Sequence, residues 1–227
     1  MTTSGTRTFD PTTADIFADA YERCGIMPPS LNQHMLESAR RSLNLLFREW
    51  DSRGPHQWSQ DEQSVALSAA DGTYDAAAGT VDVLYAYVRD SNSDDRLLAR
   101  ISRSEWAGYA NKDATSSSGP TVYYVDRVTG TPVITVWPAL ATGASALTLR
   151  YIRLVQLADI TGTISQTADV AARALEAMCA GLAAKLAVKF APDRFQMLDA
   201  LAARQWGYMT SEDRERVPVR FQPNWGR

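Results

Sequence analysis

Cysteine and histidine are scarce in this sequence of 227 residues, which contains two of each. Cys24 and Cys179 are too few for a disulfide framework. They are typical of a reducing compartment, where cysteine serves as a small buried apolar residue. Because His34 and His56 are the only histidines, we expect no metal site built on cysteine and histidine. We assign no metal ligand and no cofactor.

Long apolar runs and an excess of positive charge are also missing. The longest uncharged stretch of the alanine-rich C-terminal segment, residues 177–184, is far too short to span a bilayer. The first thirteen residues are polar and lack the apolar region of a secretory signal. The net charge is -3 and the sequence pI is about 5.4. The sequence therefore predicts no membrane partner and no concentrated basic surface for sequence-specific DNA binding.

Catalytic fingerprints are absent as well. The sequence has no phosphate-binding loop, dinucleotide fingerprint, nucleophile elbow or zinc-protease helix. The adjacent carboxylates Asp61–Glu62 and Asp94–Asp95 lie in polar segments, which is typical of solvated charge. We assign no catalytic residue and expect no enzyme. A peptidoglycan-cleaving hydrolase that uses two carboxylates across a cleft is kept as an alternative.

The residues that are present predict a folded chain, because 45% are hydrophobic and 22% are charged. Helix formers dominate first, β-branched and turn residues follow, and alanine and leucine dominate last. This order predicts an α+β fold, mainly an α-helical bundle with an inserted antiparallel β region and an extended C-terminal arm. The expected parts are residues 1–55 (N-terminal helices), 56–160 (β region), 161–216 (C-terminal helices) and 217–227 (arm).

Local patterns locate the individual elements. Thr12 and Asp15 have the spacing of a capping box, so a helix should begin there and end at Gly25. Turn residues at 128–131 between two β-branched runs predict a hairpin. The remaining expectations are helices at 30–53 and 168–190 and after Asp193, and strands at 81–88, 121–127, 132–137 and 146–155.

Two helical stripes are candidates for contact between subunits. Apolar residues repeat every seven positions in the second helix, and small residues in the third would let a neighbour approach closely. The ring-interface candidates are Leu36, Leu43, Trp50, Ala177, Gly181 and Ala184. The alternative is that both stripes are buried within one chain.

The last eleven residues, 217–227, have a different character. Pro218 and Pro223 prevent a continuous helix, and the apolar groups are too few for a core. We expect an arm that is disordered in the free monomer and binds a partner through aromatic and arginine side chains, the types enriched at binding hot spots. The candidate arm residues are Val217, Val219, Arg220, Phe221, Trp225 and Arg227. A tail folded back onto its own helices is the other interpretation.

A series of distinctive segments runs through the chain in a fixed order. The segments are 42–54 (SLNLLFREWDSRG) with Trp58, 100–112 (RISRSEWAGYANK), 119–127 (GPTVYYVDR), 133–138 (VITVWP) and 149–153 (LRYIR). In order and spacing they resemble the phage head-to-tail adaptor proteins, the tail accessory factors or head completion proteins of short-tailed phages that infect enteric bacteria. The resemblance covers about residues 14–210.

This resemblance implies a structural protein of the virion. Twelve copies would form a ring beneath the portal protein, extend the DNA channel and provide a platform for further tail proteins, the nozzle or hub and the needle. Duplex DNA would pass through without sequence-specific binding. The arm would reach the portal, and the protein would occupy the host cytoplasm during assembly and the portal–tail junction afterwards. A non-viral oligomeric interaction protein is a further alternative.

Overall fold

The structure, a computed structural model, describes residue 5 and residues 9–54, 57–162 and 165–213. The chain divides into two compact units. The helical unit takes residues 1–47, 56–58 and 158–227 as far as they are described. The β unit takes residues 48–55 and 59–157 within the same limit. The expected C-terminal arm, 217–227, lies outside the described residues.

The helices are distributed between both units. They are α1 (Thr13–Arg23), α2 (Gln33–Arg53), α3 (Arg103–Gly108), α4 (Leu175–Phe190) and α5 (Phe195–Glu212). Short 3₁₀ turns occupy Pro28–Ser30, Gln57–Ser59, Ala172–Ala174 and Pro192–Arg194. The last residues of α2, 48–53, group with the β unit, and α3 belongs to it entirely.

The start of α1 confirms the capping-box prediction. The Thr12 side chain accepts from the Asp15 amide, and the Asp15 carboxylate accepts from the Thr12 amide. The start of α2 was predicted at Ser30, which is wrong. Pro28–Ser30 forms a separate 3₁₀ turn, Leu31 is extended, and the Met35 amide donates instead to Asn32 Oδ1 at 3.0 Å.

The third predicted helix, 168–190, begins later than expected. Helix α4 starts at Leu175, after a 3₁₀ turn that follows an extended Ala171. The preceding chain pairs with the start of α1, since the Thr13 amide donates to the Gln166 carbonyl at 2.8 Å. This backbone pairing holds residues before 172 out of the helix despite their favourable composition.

Helix α4 is the centre of the helical unit. A Cβ atom added to Gly181 would lie 3.0 Å from Leu46 Cδ2, so α2 packs directly on the backbone of α4. The Tyr21 ring of α1 lies edge-on to Phe190, with 5.7 Å between centroids. Contacts with α5 complete the cover. As a result α4 buries residues around most of its circumference.

The β unit contains three sheets within the described residues. Their orders are β1-β10-β3-β4, β2-β8-β7-β5 and β6-β9. The first is antiparallel throughout, whereas β5–β7 and β6–β9 pair in parallel. The strands are β1 (Gln60–Ala66), β2 (Thr73–Asp75), β3 (Thr80–Arg89), β4 (Asp95–Leu97), β5 (Ala99–Arg100), β6 (Thr115–Ser116), β7 (Val122–Asp126), β8 (Val133–Trp137), β9 (Ala139–Leu140) and β10 (Thr148–Val155).

The β unit has a core of its own. The predicted hairpin is confirmed as β7 and β8, in which Tyr124 pairs with Thr135. Apolar residues of the first and second sheets join in one buried cluster, including Val83 and Leu149 from the first and Tyr123 and Ile134 from the second. The unit can therefore be stabilised by its own apolar burial.

The expectation of a mainly α-helical bundle is wrong. Of the described residues, 41% are helical and 25% are in strands, which is a mixed α+β fold with an extensive β unit. The β region is also not purely antiparallel. Short strands such as Asp95–Leu97 and Thr115–Ser116 form where the sequence pattern predicted no strand. Backbone pairing with neighbours, rather than apolar alternation, produces these strands.

Arg153 joins three segments of the β unit. Its guanidinium donates to the Ala78 carbonyl at 2.7 Å, to Thr80 Oγ1 at 3.1 Å and to Asp61 Oδ2 at 3.0 Å. The residue is only 9% exposed, so these acceptors are partly shielded from water. Because the Asp61 side chain is 45% exposed, the carbonyl and hydroxyl bonds should contribute more than the ion pair.

We expect Arg153→Ala to lower the free energy of unfolding by about 2–3 kcal/mol, since it leaves shielded acceptors without their charged donor. Urea unfolding followed by circular dichroism measures this change. Arg127→Ala is the matched control, because that side chain is 61% exposed and lies 3.9 Å from its carboxylate. The control should change stability by less than about 0.5 kcal/mol. Equal effects of both substitutions would contradict the role given to Arg153.

Candidate assembly surfaces of the helical unit

The predicted ring-interface residues are mostly buried within one chain. Leu43 and Trp50 are 0% and 2% exposed, and Ala177, Gly181 and Ala184 are buried in α4. The expectation that they face a neighbouring subunit is therefore corrected. The small residues do permit a close approach, but at Gly181 the helix that approaches is α2 of the same chain.

The other site predictions lie elsewhere. Leu36 is half-buried and lines a separate cavity with Phe17 and Arg40. The six arm residues, Val217, Val219, Arg220, Phe221, Trp225 and Arg227, lie outside the described residues. The arm therefore stays a prediction.

An open groove of about 550 Å³ runs along α1 beside the start of α4. We call it the acidic groove. Its lining residues are Phe9, Pro11, Asp15, Ile16, Asp19, Arg23, Ala172, Leu175, Glu176 and Cys179. Phe9 is 80% exposed, which is unusual for a phenylalanine in a folded protein.

The groove is negatively charged. Arg23 binds two of its carboxylates, Asp19 at 2.8 Å and Glu176 at 2.8 Å. Both carboxylate side chains remain accessible, at 43% and 52% exposure. The hydrogen bonds from Arg23 lower the pKa of Glu176, and those from Thr12 lower the pKa of Asp15. The groove thus contains three carboxylates and one guanidinium beside apolar side chains.

A second exposed surface follows the contact between α2 and α4. We call it the basic ridge, and it consists of Arg41, Leu45, Lys185, Val188 and Lys189. Leu45 and Val188 are 63% and 61% exposed. Since Gly181 lies at Leu46 and Lys189 lies at Ser42, the two helices run antiparallel here.

Lys189 is held on the ridge by hydroxyl groups. Its ammonium donates to Ser42 Oγ at 2.7 Å and to Ser38 Oγ at 3.2 Å, and both serines are buried. Within the described part of the chain no carboxylate binds it. Burial lowers the pKa of Lys189, and the nearby charges of Arg41 and Lys185 lower it further. An anionic group brought to this ridge would relieve that repulsion.

The two surfaces lie on different sides of α4. At 3.6 residues per turn, two sets of α4 side chains point in directions that differ by roughly 130° around the helix axis. One set is Leu175, Glu176 and Cys179, and the other is Lys185, Val188 and Lys189. They also lie near opposite ends of α4. One chain can therefore offer both surfaces at the same time.

The carboxylates of the β unit bear on the hydrolase alternative. Hydrogen bonds from Gln63 and Arg153 lower the pKa of Asp61, those from Arg89 lower the pKa of Asp95, and those from Ser102 lower the pKa of Glu105. A general acid would need the opposite shift. Among the residues that the structure describes, no group of three or more histidine, cysteine or acidic residues could hold a metal ion.

The aromatic residues near α3 pack on one another. Trp106 stacks on Tyr124, and Tyr109 lies 4.4 Å from Trp137 between ring centroids. The Trp137 Nε1 group donates to the Asn111 carbonyl at 2.9 Å. The cluster attaches the α3 segment to β7 and β8.

No protein-family model matches this chain, and no curated protein matches it significantly. In the described ranges, none of the helices combines the length and the apolar character needed to cross a bilayer.

Neither of these two surfaces was predicted from the sequence. The usable signal was spacing. Asp15, Asp19 and Arg23 recur every four residues on α1, and Arg41 and Leu45 do so on α2. A charged residue four positions from an apolar residue indicates an exposed helix face that carries both charged and apolar side chains.

Cys179 provides a chemical probe of the groove wall. Burial raises the pKa of its thiol to about 12, against an ordinary value of about 8.5. At about pH 8 we expect it to react with a disulfide reagent roughly 10³-fold more slowly in the folded than in the unfolded protein, because the thiolate is the reactive form. The Cys24→Ser variant isolates this thiol. Equal rates before and after unfolding would contradict the described environment.

Proposed function

We propose that the protein is a structural head-to-tail adaptor of a short-tailed phage. In this role the helical unit forms a ring of twelve copies on the portal, and the ring extends the DNA channel. The β unit provides the platform for further tail proteins. The proposal rests on the resemblance of several ordered segments to the adaptor family and on the exposed surfaces of the helical unit.

The observation that carries the proposal is the pair of unlike surfaces on one helical unit. The acidic groove combines carboxylates with apolar groups, and the basic ridge combines cations with Leu45 and Val188. Exposed apolar side chains next to opposite charges are typical of surfaces that bind other proteins. A subunit with two such surfaces can bind two neighbours, as a ring requires.

The segments that resemble the adaptor family fall on regular elements. Segment 42–54 covers the second part of α2, and 100–112 contains α3. Segments 119–127 and 133–138 contain the strands of the β7–β8 hairpin, and 149–153 lies in β10. Because these segments occur in both units, the resemblance concerns the whole arrangement of the chain and supports a shared role better than one motif would.

The direct test is assembly on a portal ring. The protein is mixed with a purified portal of the matching phage, and the product is sized and imaged by electron microscopy. We expect twelve copies to add to one portal ring, with no preference for a DNA sequence in binding assays. A portal ring that never acquires this protein, at any concentration, would overturn the proposal.

The portal contact itself is tested by truncation. Removing residues 217–227 should leave the thermal unfolding of the body unchanged but abolish or greatly weaken attachment to the portal. Phe221→Ala and Trp225→Ala should each weaken attachment by roughly 1–3 kcal/mol, the effect of removing an aromatic anchor. Gln222→Ala is the matched control within the arm. Unchanged affinity of the truncated protein would show that the portal contact lies in the helical unit.

A further inference from the structure

We propose that neighbouring copies bind head to tail, with the basic ridge of one copy seated in the acidic groove of the next. This inference rests on the proposed ring function, and it names the partner of both surfaces as a second copy of this chain. The residues that carry it are Arg41 and Lys189 on the ridge, and Asp19 and Glu176 in the groove.

The charges of the two surfaces are complementary. On the ridge, Arg41 is exposed, and the Lys189 ammonium is held by serine hydroxyls in place of a carboxylate. In the groove, Asp19 and Glu176 share the single guanidinium of Arg23 and keep about half of their side-chain surface accessible. Each surface can therefore bind further groups of the opposite charge. This complementarity favours a correctly oriented encounter between two copies.

The apolar residues of the two surfaces also match. Leu45 and Val188 are exposed on the ridge, and the groove offers Phe9 and Leu175 around a volume of about 550 Å³. Burial of Leu45, Val188 and Phe9 would remove three largely exposed apolar side chains from water. A partner with charges alone would leave these side chains exposed, which is why a protein surface is the better occupant.

The arrangement on one chain sets the symmetry of the contact. A two-fold dimer buries the same patch on both subunits, whereas this contact joins two different patches. Because the patches lie roughly 130° apart around α4, a copy that binds through its ridge still presents its groove. Repetition of such a contact gives a closed ring when the rotation between copies closes.

Two variants separate the surfaces. The ridge variant, Arg41→Glu with Leu45→Glu, changes exposed positions only. The groove variant, Phe9→Lys with Asp19→Lys, leaves Arg23 its second partner, Glu176. The matched control, Met27→Glu with Tyr208→Glu, replaces exposed apolar residues outside both surfaces, at 68% and 60% exposure. Circular dichroism and thermal unfolding establish that all three remain folded.

The decisive measurement is the pairing of the two variants. The ridge variant keeps its groove and the groove variant keeps its ridge, so an equimolar mixture can form one contact and no more. After fixing with a zero-length amine–carboxyl cross-linker, native mass spectrometry should show one-to-one pairs. We expect these pairs to be enriched roughly tenfold over pairs formed by either variant alone. The wild type and the control should give longer oligomers.

Cross-linked peptides identify the contact directly. When isotopically light and heavy wild-type chains are mixed, we expect mixed cross-links that join Lys185 or Lys189 to Asp15, Asp19 or Glu176. A mixture of the two variants without enriched pairs, or mixed cross-links confined to other residues, would overturn the inference. If both variants still form rings on the portal, the head-to-tail contact is wrong and the adaptor function stands. If wild-type chains pair as described but never bind a portal, the contact stands and the proposed function is wrong.

Discussion

The helical unit depends on the burial of one helix. Helix α4 is apolar around most of its circumference, so it is stable only when α1, α2 and α5 cover it. Alanine and glycine allow this cover to be close, as the contact of Leu46 with the backbone at Gly181 demonstrates. Because the residues in the middle of α4 are buried by this cover, they cannot contact a partner. Exposed groups remain only near its ends, where Glu176 and Lys189 lie, and these ends belong to the acidic groove and the basic ridge.

The charges at these ends have a local cause as well. An acidic residue in the first turn and a basic residue in the last turn of a helix interact favourably with its dipole, and α4 has both. This effect explains Glu176 and Lys189 without any partner. It does not explain Arg41 in the middle of α2, because the dipole effect is confined to terminal turns. Asp19 on α1 pairs with Arg23 one turn further on, which stabilises that helix. The extension of the basic ridge onto a second helix is what distinguishes it from helix stabilisation.

Local signals in the sequence predicted the elements whose structure is decided locally. The capping box of Thr12 and Asp15 fixed the start of α1, and turn residues between two β-branched runs fixed the β7–β8 hairpin. Strand β1 (Gln60–Ala66) was missed, because its seven residues include only Val65 and Ala66 as apolar and its pairing with β10 comes from distant chain. The late start of α4 has the same origin, since backbone pairing with residues near Thr13 overrides helix propensity. Non-local pairing thus accounts for the larger β content and for the error in fold class.

The assembly surfaces were harder to predict because an apolar repeat indicates that a helix face is buried, but does not indicate whether the same chain or another subunit covers that face. The heptad of Leu43 and Trp50 marks a buried stripe equally well when the cover comes from the same chain, as it does here. A surface for a partner must instead tolerate water before assembly, so its apolar residues stand singly among charges. Leu45 one turn from Arg41, and Val188 beside Lys189, have that form. Such pairs are common on helices, and only the contact of α2 with α4 brings these two together into one ridge. The fold of the helical unit is therefore what turns scattered exposed residues into a surface that a second copy can bind.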